Sequence, residues 1–263
     1  MFLGTVSLLL KYKHLKEKIK IGAVSYLNTK PLLYGLERSS IKEEIILSTA
    51  YPAQLAAALK DQTIDLALLP VAAIPSIPNA HIVGSYGIAA DGAVASVALF
   101  SQVPLEAITH IYLDYQSRSS VRLTQELVNH FWKLKVALLP AKEDYIESIQ
   151  GTKAGVIIGD RALQQLPNFP YVYDLASAWK AWTGLPFVFA AWVSNKALPA
   201  DFIAAFDAAN AMGLQYLEDI VAAHPFPAYD LLHYYQKNIH YELDENKRKG
   251  LDLFLKMISA HHG

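Results

Sequence analysis

The stretch that most limits what this chain can fold into is Ile19 to Tyr34, IKIGAVSYLNTKPLLY. A short apolar run alternating with Lys20 reads as a strand, Gly22 permits close backbone approach, and Pro31 stands where a helix begins. The unit is strand, polar loop, helix. In an open α/β sheet such a loop lies at the carboxyl end of its strand, where ligands collect. Here the loop carries Ser25, Asn28, Thr29 and Lys30, which form the first wall of a candidate site.

The rest of the chain repeats this alternation. Glu44–Ser48 reads as a strand and Tyr51–Lys60 as an Ala-rich helix with Pro52 in its first turn. Ile64–Pro70 is a buried strand ended by proline, and Val71 to Pro78 a loop or short helical turn, giving βαβαβ and a parallel sheet. His81–Ile88 and Val94–Ser101 are further strands, the second apolar enough to be covered on both faces, with Ser96 as an interior hydroxyl. A second series follows: strands at His110–Asp114, Val136–Leu139, Ala154–Gly159, Tyr171–Leu175 and Phe187–Ser194, with helices at Val121–Trp132, Lys142–Ile149 and Ala176–Trp182. The remainder is helical, with helices at Ala200–His224, Tyr229–Gln236 and Asp244–His261.

A chain that leaves one lobe, builds a second and returns makes two lobes with a cleft between them, which suits a small polar ligand. The expected division is residues 19–101 and 195–263 in the first lobe and 104–190 in the second, with hinge strands near 99–104 and 189–195. Residues 1–18 are expected to be a poorly ordered leader. Their apolar stretch Val6–Leu10 lacks a preceding basic residue and a small-residue cleavage site, so it is a poor signal peptide and the cytoplasm is the expected compartment.

Charge narrows the partner. Among 263 residues the formal net charge is −1, and no long basic run marks a nucleic-acid binder. No stretch reaches the ~18 apolar residues of a membrane span. The chain has no Cys, which excludes thiolate metal sites and Cys nucleophiles, and its nine His show no ligand spacing, so neither metal nor cofactor is expected. No nucleotide loop, nucleophilic triad or flavin signature is present.

Several residues carry candidate chemistry beside a plainer reading. Ser117, Arg118, Ser119 and Ser120 precede a helix; Ser caps helices in any protein, but three hydroxyls, a guanidinium and the positive end of a helix dipole also make a carboxylate receptor. Asn28 fits a turn, Ser96 a self-satisfied buried hydroxyl, and Asp160 a helix N-cap. Tyr26, Tyr34, Tyr86, Trp179 and Trp182 fit core packing or the cleft wall. From the residues alone the reading is a two-lobed binder of a small anion.

Five stretches resemble chorismate dehydratase, a futalosine-route enzyme of menaquinone biosynthesis: Ile21–Leu32, Ile64–Ala72, Asp91–Val97, Ser117–Ser120 and Gly184–Ala190. The chain departs from the family pattern in its long leader and in Ala93 and Ala95. The resemblance implies a type II periplasmic-binding-protein-like α/β fold and a small dicarboxylate substrate, chorismate, which loses water to give 3-[(1-carboxyvinyl)oxy]benzoate. It places the family's catalytic Asn and Ser on Asn28 and Ser96. Ser25, Tyr26, Thr29, Ser117, Arg118, Ser119, Ser120 and Asp160 are the candidate substrate-binding residues. The base is either Asp160 or the substrate's own side-chain carboxylate. Two alternatives stand beside it: a solute-binding protein for a carboxylate, which shares the fold, and the sister pathway enzyme acting on a dehypoxanthine futalosine derivative.

Overall fold

A computed structural model describes residues 17–260. The expected leader lies outside the described residues except for Glu17 and Lys18, both exposed, and His261 and His262 lie outside them too. In chain order the first part comprises β1 (Ile19–Ala23), α1 (Lys30–Arg38), β2 (Ile45–Thr49), α2 (Pro52–Lys60), β3 (Leu66–Pro70) and β4 (His81–Ala90). The middle contains β5 (Val97–Ser101), β6 (His110–Leu113), α3 (Arg118–Glu126), β7 (Ala137–Pro140), β8 (Lys153–Ile158), α4 (Gly159–Gln165), β9 (Tyr171–Asp174) and α5 (Leu175–Thr183). The last part contains β10 (Phe187–Ser194), α6 (Ala200–Gly213), α7 (Leu217–Ala223), β11 (His240–Glu242) and α8 (Glu245–Ala260).

These strands make two sheets. The first runs β11-β4-β10-β3-β1-β2, with β1 parallel to β2 and β3 and with β10 antiparallel between β3 and β4. The second runs β7-β6-β8-β5-β9, with β6 parallel to β7 and β8 and with β5 antiparallel to β8 and β9. Each sheet therefore has a parallel βαβ portion and one antiparallel strand seated deep inside it. All five residues of β5 and seven of the eight in β10 are buried, which explains their unbroken apolar runs.

The chain changes sheets earlier than the expected hinges. Val97–Ser101 pairs on both edges with strands of the second sheet, so the outward crossing is the segment 91–96 rather than 99–104. Phe187–Ser194 pairs on both edges with the first sheet, so the return crossing is 184–186 rather than 189–195. An apolar run announces a central strand but not the sheet that receives it. The return is fixed by aromatic packing: Trp179 meets Phe187 and Phe254 edge to face at centroid distances of 5.4 and 6.0 Å, and its indole N–H donates to the Pro186 carbonyl at 3.2 Å.

Other differences are local. The strand expected from Val94 starts at Val97, which places Ser96 in the crossing turn instead of inside a strand. The helix expected over 142–149 is reduced to a 3-10 turn at Tyr145–Ser148, entered through Asp144 at φ 64°. The helix expected over 200–224 breaks into α6 and α7 after Gly213. The helix expected over 229–236 is a short turn, Leu231–His233, that widens into a π-helical turn at Tyr234–Asn238. Among the described residues no helix is long and apolar enough to cross a membrane.

Candidate active site between the sheets

The carboxyl ends of β1, β3, β6 and β8 converge on one cleft, with the 91–96 crossing along its side. It encloses about 610 Å³ of empty space, part of it open to solvent. This is where parallel strands of an α/β sheet collect ligands, because loops and helix starts there present polar groups without strand pairing.

The loop after β1 is held from outside itself. The Leu27 amide donates to Asp160 Oδ1 at 3.2 Å, from the start of α4 on the second sheet, and the Leu27 carbonyl accepts from the Tyr235 hydroxyl at 3.1 Å. Asn28 follows directly and lines the cleft. Thr29, fully buried behind it, donates from Oγ1 to Asn28 Oδ1 at 3.2 Å, an arrangement that turns the amide NH₂ of Asn28 toward other partners. Thr29 therefore positions Asn28 and does not reach the cleft itself.

Ser96 stands across the cleft on a strained turn. Ala95 has φ 60°, in the left-handed region that a side chain disfavours, and it persists because its neighbours over-determine it. The Ala95 amide donates to Asp174 Oδ2 at 2.8 Å, the Ser96 amide donates to the Val94 carbonyl at 2.7 Å, and the Ser96 carbonyl accepts from the Gly159 amide at 2.7 Å. The buried Ser96 hydroxyl accepts from the Tyr234 hydroxyl at 2.7 Å.

The start of α3 supplies a third wall. Ser117 caps the helix, its Oγ accepting from the Ser120 amide at 3.1 Å and donating to the Ser120 hydroxyl at 2.8 Å, and both serines line the cleft. Gln116, next to them, accepts at Oε1 from the Tyr26 hydroxyl at 3.3 Å and from Arg161 at 3.1 Å. Arg161 also pairs with buried Asp114 at 2.7 Å, and Asp114 accepts from the Gln116 amide and the Tyr145 hydroxyl. Burial raises the Asp114 carboxyl despite the lowering influence of Arg161 and these donors. Burial, with Asp114 nearby, pushes the Tyr26 phenol up to about 12, so it stays a neutral donor at physiological pH.

Of the ten candidate residues, the structure brings Tyr26, Asn28, Ser96, Ser117 and Ser120 together along the cleft. Ser25 and Arg118 are exposed and face neighbouring surface grooves. Asp160 faces the Leu27 amide behind the loop, and burial raises its carboxyl above the usual range against the lowering effect of that amide and of Lys30. Ser119 is buried and ties the sheets together, donating to the Phe189 carbonyl at 3.0 Å and accepting from the Ala72 amide at 3.2 Å. The described residues that line the cleft include no Asp, Glu, His, Lys or Arg.

Sequence reading missed Gln116, Tyr234 and Tyr235. Gln116 was legible in principle, since it directly precedes the cap at Ser117. The two tyrosines lie far along the chain from the loops they touch and carry no local motif. Trp179, one of the aromatics named for the cleft wall, is core.

A model of the family described as menaquinone biosynthesis matches residues 19–260. The chain belongs to that family. The chorismate dehydratase of Thermus thermophilus is 26% identical over 269 aligned positions, which cover 90% of this chain and 94% of that protein. Among solved structures, an Archaeoglobus fulgidus protein superposes with a TM-score of 0.72 at 14% identity, covering 95% of this chain and 99% of its own. The alkanesulfonate-binding protein SsuA from Xanthomonas axonopodis pv. citri, solved with MOPS, gives a TM-score of 0.65 at 13% identity, covering 93% of each chain. This menaquinone-biosynthesis family member thus has a periplasmic-binding-protein-like fold, mixed α/β with two sheets.

The Ser119 bridge gives a direct test of how the sheets are joined. Ser119→Ala leaves the Phe189 carbonyl and the Ala72 amide without this partner and is expected to lower the unfolding free energy by about 1–3 kcal/mol in a urea titration. A change below about 0.5 kcal/mol would show that the bridge is dispensable.

Proposed function

We propose that the protein is a chorismate dehydratase, removing water from chorismate to give 3-[(1-carboxyvinyl)oxy]benzoate. The observation that carries this reading is the chemistry of the cleft wall: neutral polar side chains, Asn28, Ser96, Ser117, Ser120 and Tyr26, set among apolar residues such as Leu68, Ile88 and Phe189. Membership of the menaquinone biosynthesis family and the likeness to the Thermus thermophilus enzyme support it.

A wall of this kind suits a substrate that brings its own charges. A carboxylate of chorismate accepts from the Ser120 hydroxyl, to which Ser117 donates, and favours the positive end of α3, and an apolar surround strengthens those contacts. The ring hydrogen to be lost is acidified through the double bond conjugated to the ring carboxylate. A base removes it, the electron pair delocalises onto the ring and its carboxylate, and the neighbouring C–O bond then breaks as the hydroxyl leaves. With the proton just removed, that hydroxyl becomes water and the ring becomes aromatic. Donors placed where negative charge develops on the leaving oxygen stabilise the transition state, which is the role assigned to Asn28 and Ser96.

The base is the substrate's side-chain carboxylate, held against the ring by the cleft. Asp160, the protein's alternative, is engaged with the Leu27 amide. Its function in this account is to hold the loop that bears Asn28.

The test is to incubate the purified protein with chorismate and follow products by liquid chromatography and mass spectrometry. An aromatic species lighter by one water is expected, with kcat lowered about 100-fold or more by Asn28→Ala. Unchanged chorismate in the presence of folded protein would overturn the dehydratase reading in favour of a binding protein.

The origin of the base has its own test. Asp160→Asn retains an acceptor for the Leu27 amide and should keep kcat within about tenfold, with kcat for the wild type flat between about pH 6 and 9. A protein carboxylate with a raised pKa would instead gain its proton as pH falls and lose activity on the acid side. Loss of turnover in Asp160→Asn with binding intact, together with such an acid limb, would assign the base to the protein.

A further inference from the structure

The π-helical turn Tyr234–Asn238 holds both loops that carry the candidate catalytic side chains. A π turn accommodates one more residue than an α turn, and such insertions recur at functional sites. Here the adjacent residues Tyr234 and Tyr235 are both buried and contact opposite walls of the cleft: Tyr234 reaches Ser96 and Tyr235 reaches the Leu27 carbonyl. Asn238, at the end of the same turn, donates to the Ala93 carbonyl at 3.0 Å and so grips the strained turn that presents Ser96.

The Tyr234 contact sets the direction of a proton. Tyr234 is the only hydrogen-bond partner of Ser96 Oγ among the described residues, at 2.7 Å. A phenol is the stronger donor and an alkyl hydroxyl the stronger acceptor, so the proton between them belongs to Tyr234. Ser96 then keeps its own O–H, and the open direction for it is the cleft that Ser96 lines. Burial drives the Tyr234 phenol far above its ordinary value, against the lowering effect of its contact with Ser96, so it stays a neutral donor at physiological pH.

We propose that Tyr234 is a positioning residue for the dehydration, fixing Ser96 as a hydrogen-bond donor to the departing hydroxyl. The inference rests on the chorismate reading above and adds to it a residue outside the motifs that suggested that reading. Tyr234 does not touch the substrate; it acts by removing the alternative orientation in which Ser96 donates into the protein and presents only lone pairs to the cleft.

Tyr234→Phe keeps the buried ring, which packs edge to face on Tyr229 and tilted against Tyr235, and deletes only the hydroxyl. The expected result is a kcat about 10- to 100-fold lower with KM within about twofold of the wild type. In the Tyr234→Phe, Ser96→Ala double variant, kcat should be no lower than in Ser96→Ala alone, because both changes remove the same donor. Full activity in Tyr234→Phe, or a double variant slowed by the product of the two single effects, would overturn the proposal.

A substrate-free measurement covers the case of a variant that fails to fold and separates this inference from the reading beneath it. In wild-type protein carrying labelled tyrosine, the Tyr234 hydroxyl proton should give a slowly exchanging resonance that Ser96→Ala shifts. Absence of that resonance, or indifference to the substitution, in protein that converts chorismate overturns the role of Tyr234 alone. The resonance with its Ser96 dependence, in wild-type protein that leaves chorismate unchanged, overturns the dehydratase reading and the proposal with it.

Discussion

The site depends on how one residue of the first loop is held. The amide of Leu27 is bound by Asp160 from the second sheet and its carbonyl by Tyr235 from the carboxyl-terminal segment. Neither partner comes from the sheet that carries the loop, so the second sheet and the carboxyl-terminal segment together hold the residue that precedes Asn28. Burial beside the loop raises the Asp160 carboxyl and the Tyr235 phenol alike.

The same logic extends to the second wall. Two antiparallel strands, β5 and β10, are the places where the chain has just crossed between sheets, and each lies between two strands of its new sheet. The crossings are thereby short and anchored: the outward one is gripped through Ala93 and Ala95 by Asn238 and Asp174, and the return is locked by Trp179 and its aromatic neighbours. A cleft built this way presents neutral donors in fixed directions with little reorganisation, the condition under which hydrogen bonds stabilise a developing charge most effectively. Ser119, expected in the ligand site, instead joins the sheets, since its hydroxyl both donates and accepts inside the protein.

What could be read from the sequence was what is encoded locally. Pro31 and the polar run before it announced the β1–α1 unit, and unbroken apolar runs announced central strands such as Leu66–Pro70 and Phe187–Ser194. Asn28, Ser96, Ser117 and Ser120 were expected on one site, and they line one cleft, whereas Ser119 does not. The crossing points were misplaced because apolarity does not say which sheet a strand joins. Tyr234 was not legible because its partner is 138 positions away and a π-helical turn has no sequence signature comparable to a cap or a proline. Arg118 looked like part of an anion receptor because charge is visible in sequence, whereas its outward direction from the helix start is not.

The most direct measurement is a crystal structure of the protein soaked with 3-[(1-carboxyvinyl)oxy]benzoate. The benzoate ring should lie between Asn28 and Ser96, with a carboxylate at Ser120 and the side-chain carboxylate folded back toward the ring without an Asp160 contact. A product seated outside the cleft, or one whose ring carbons lie against Asp160 with the side-chain carboxylate turned away, would contradict this placement.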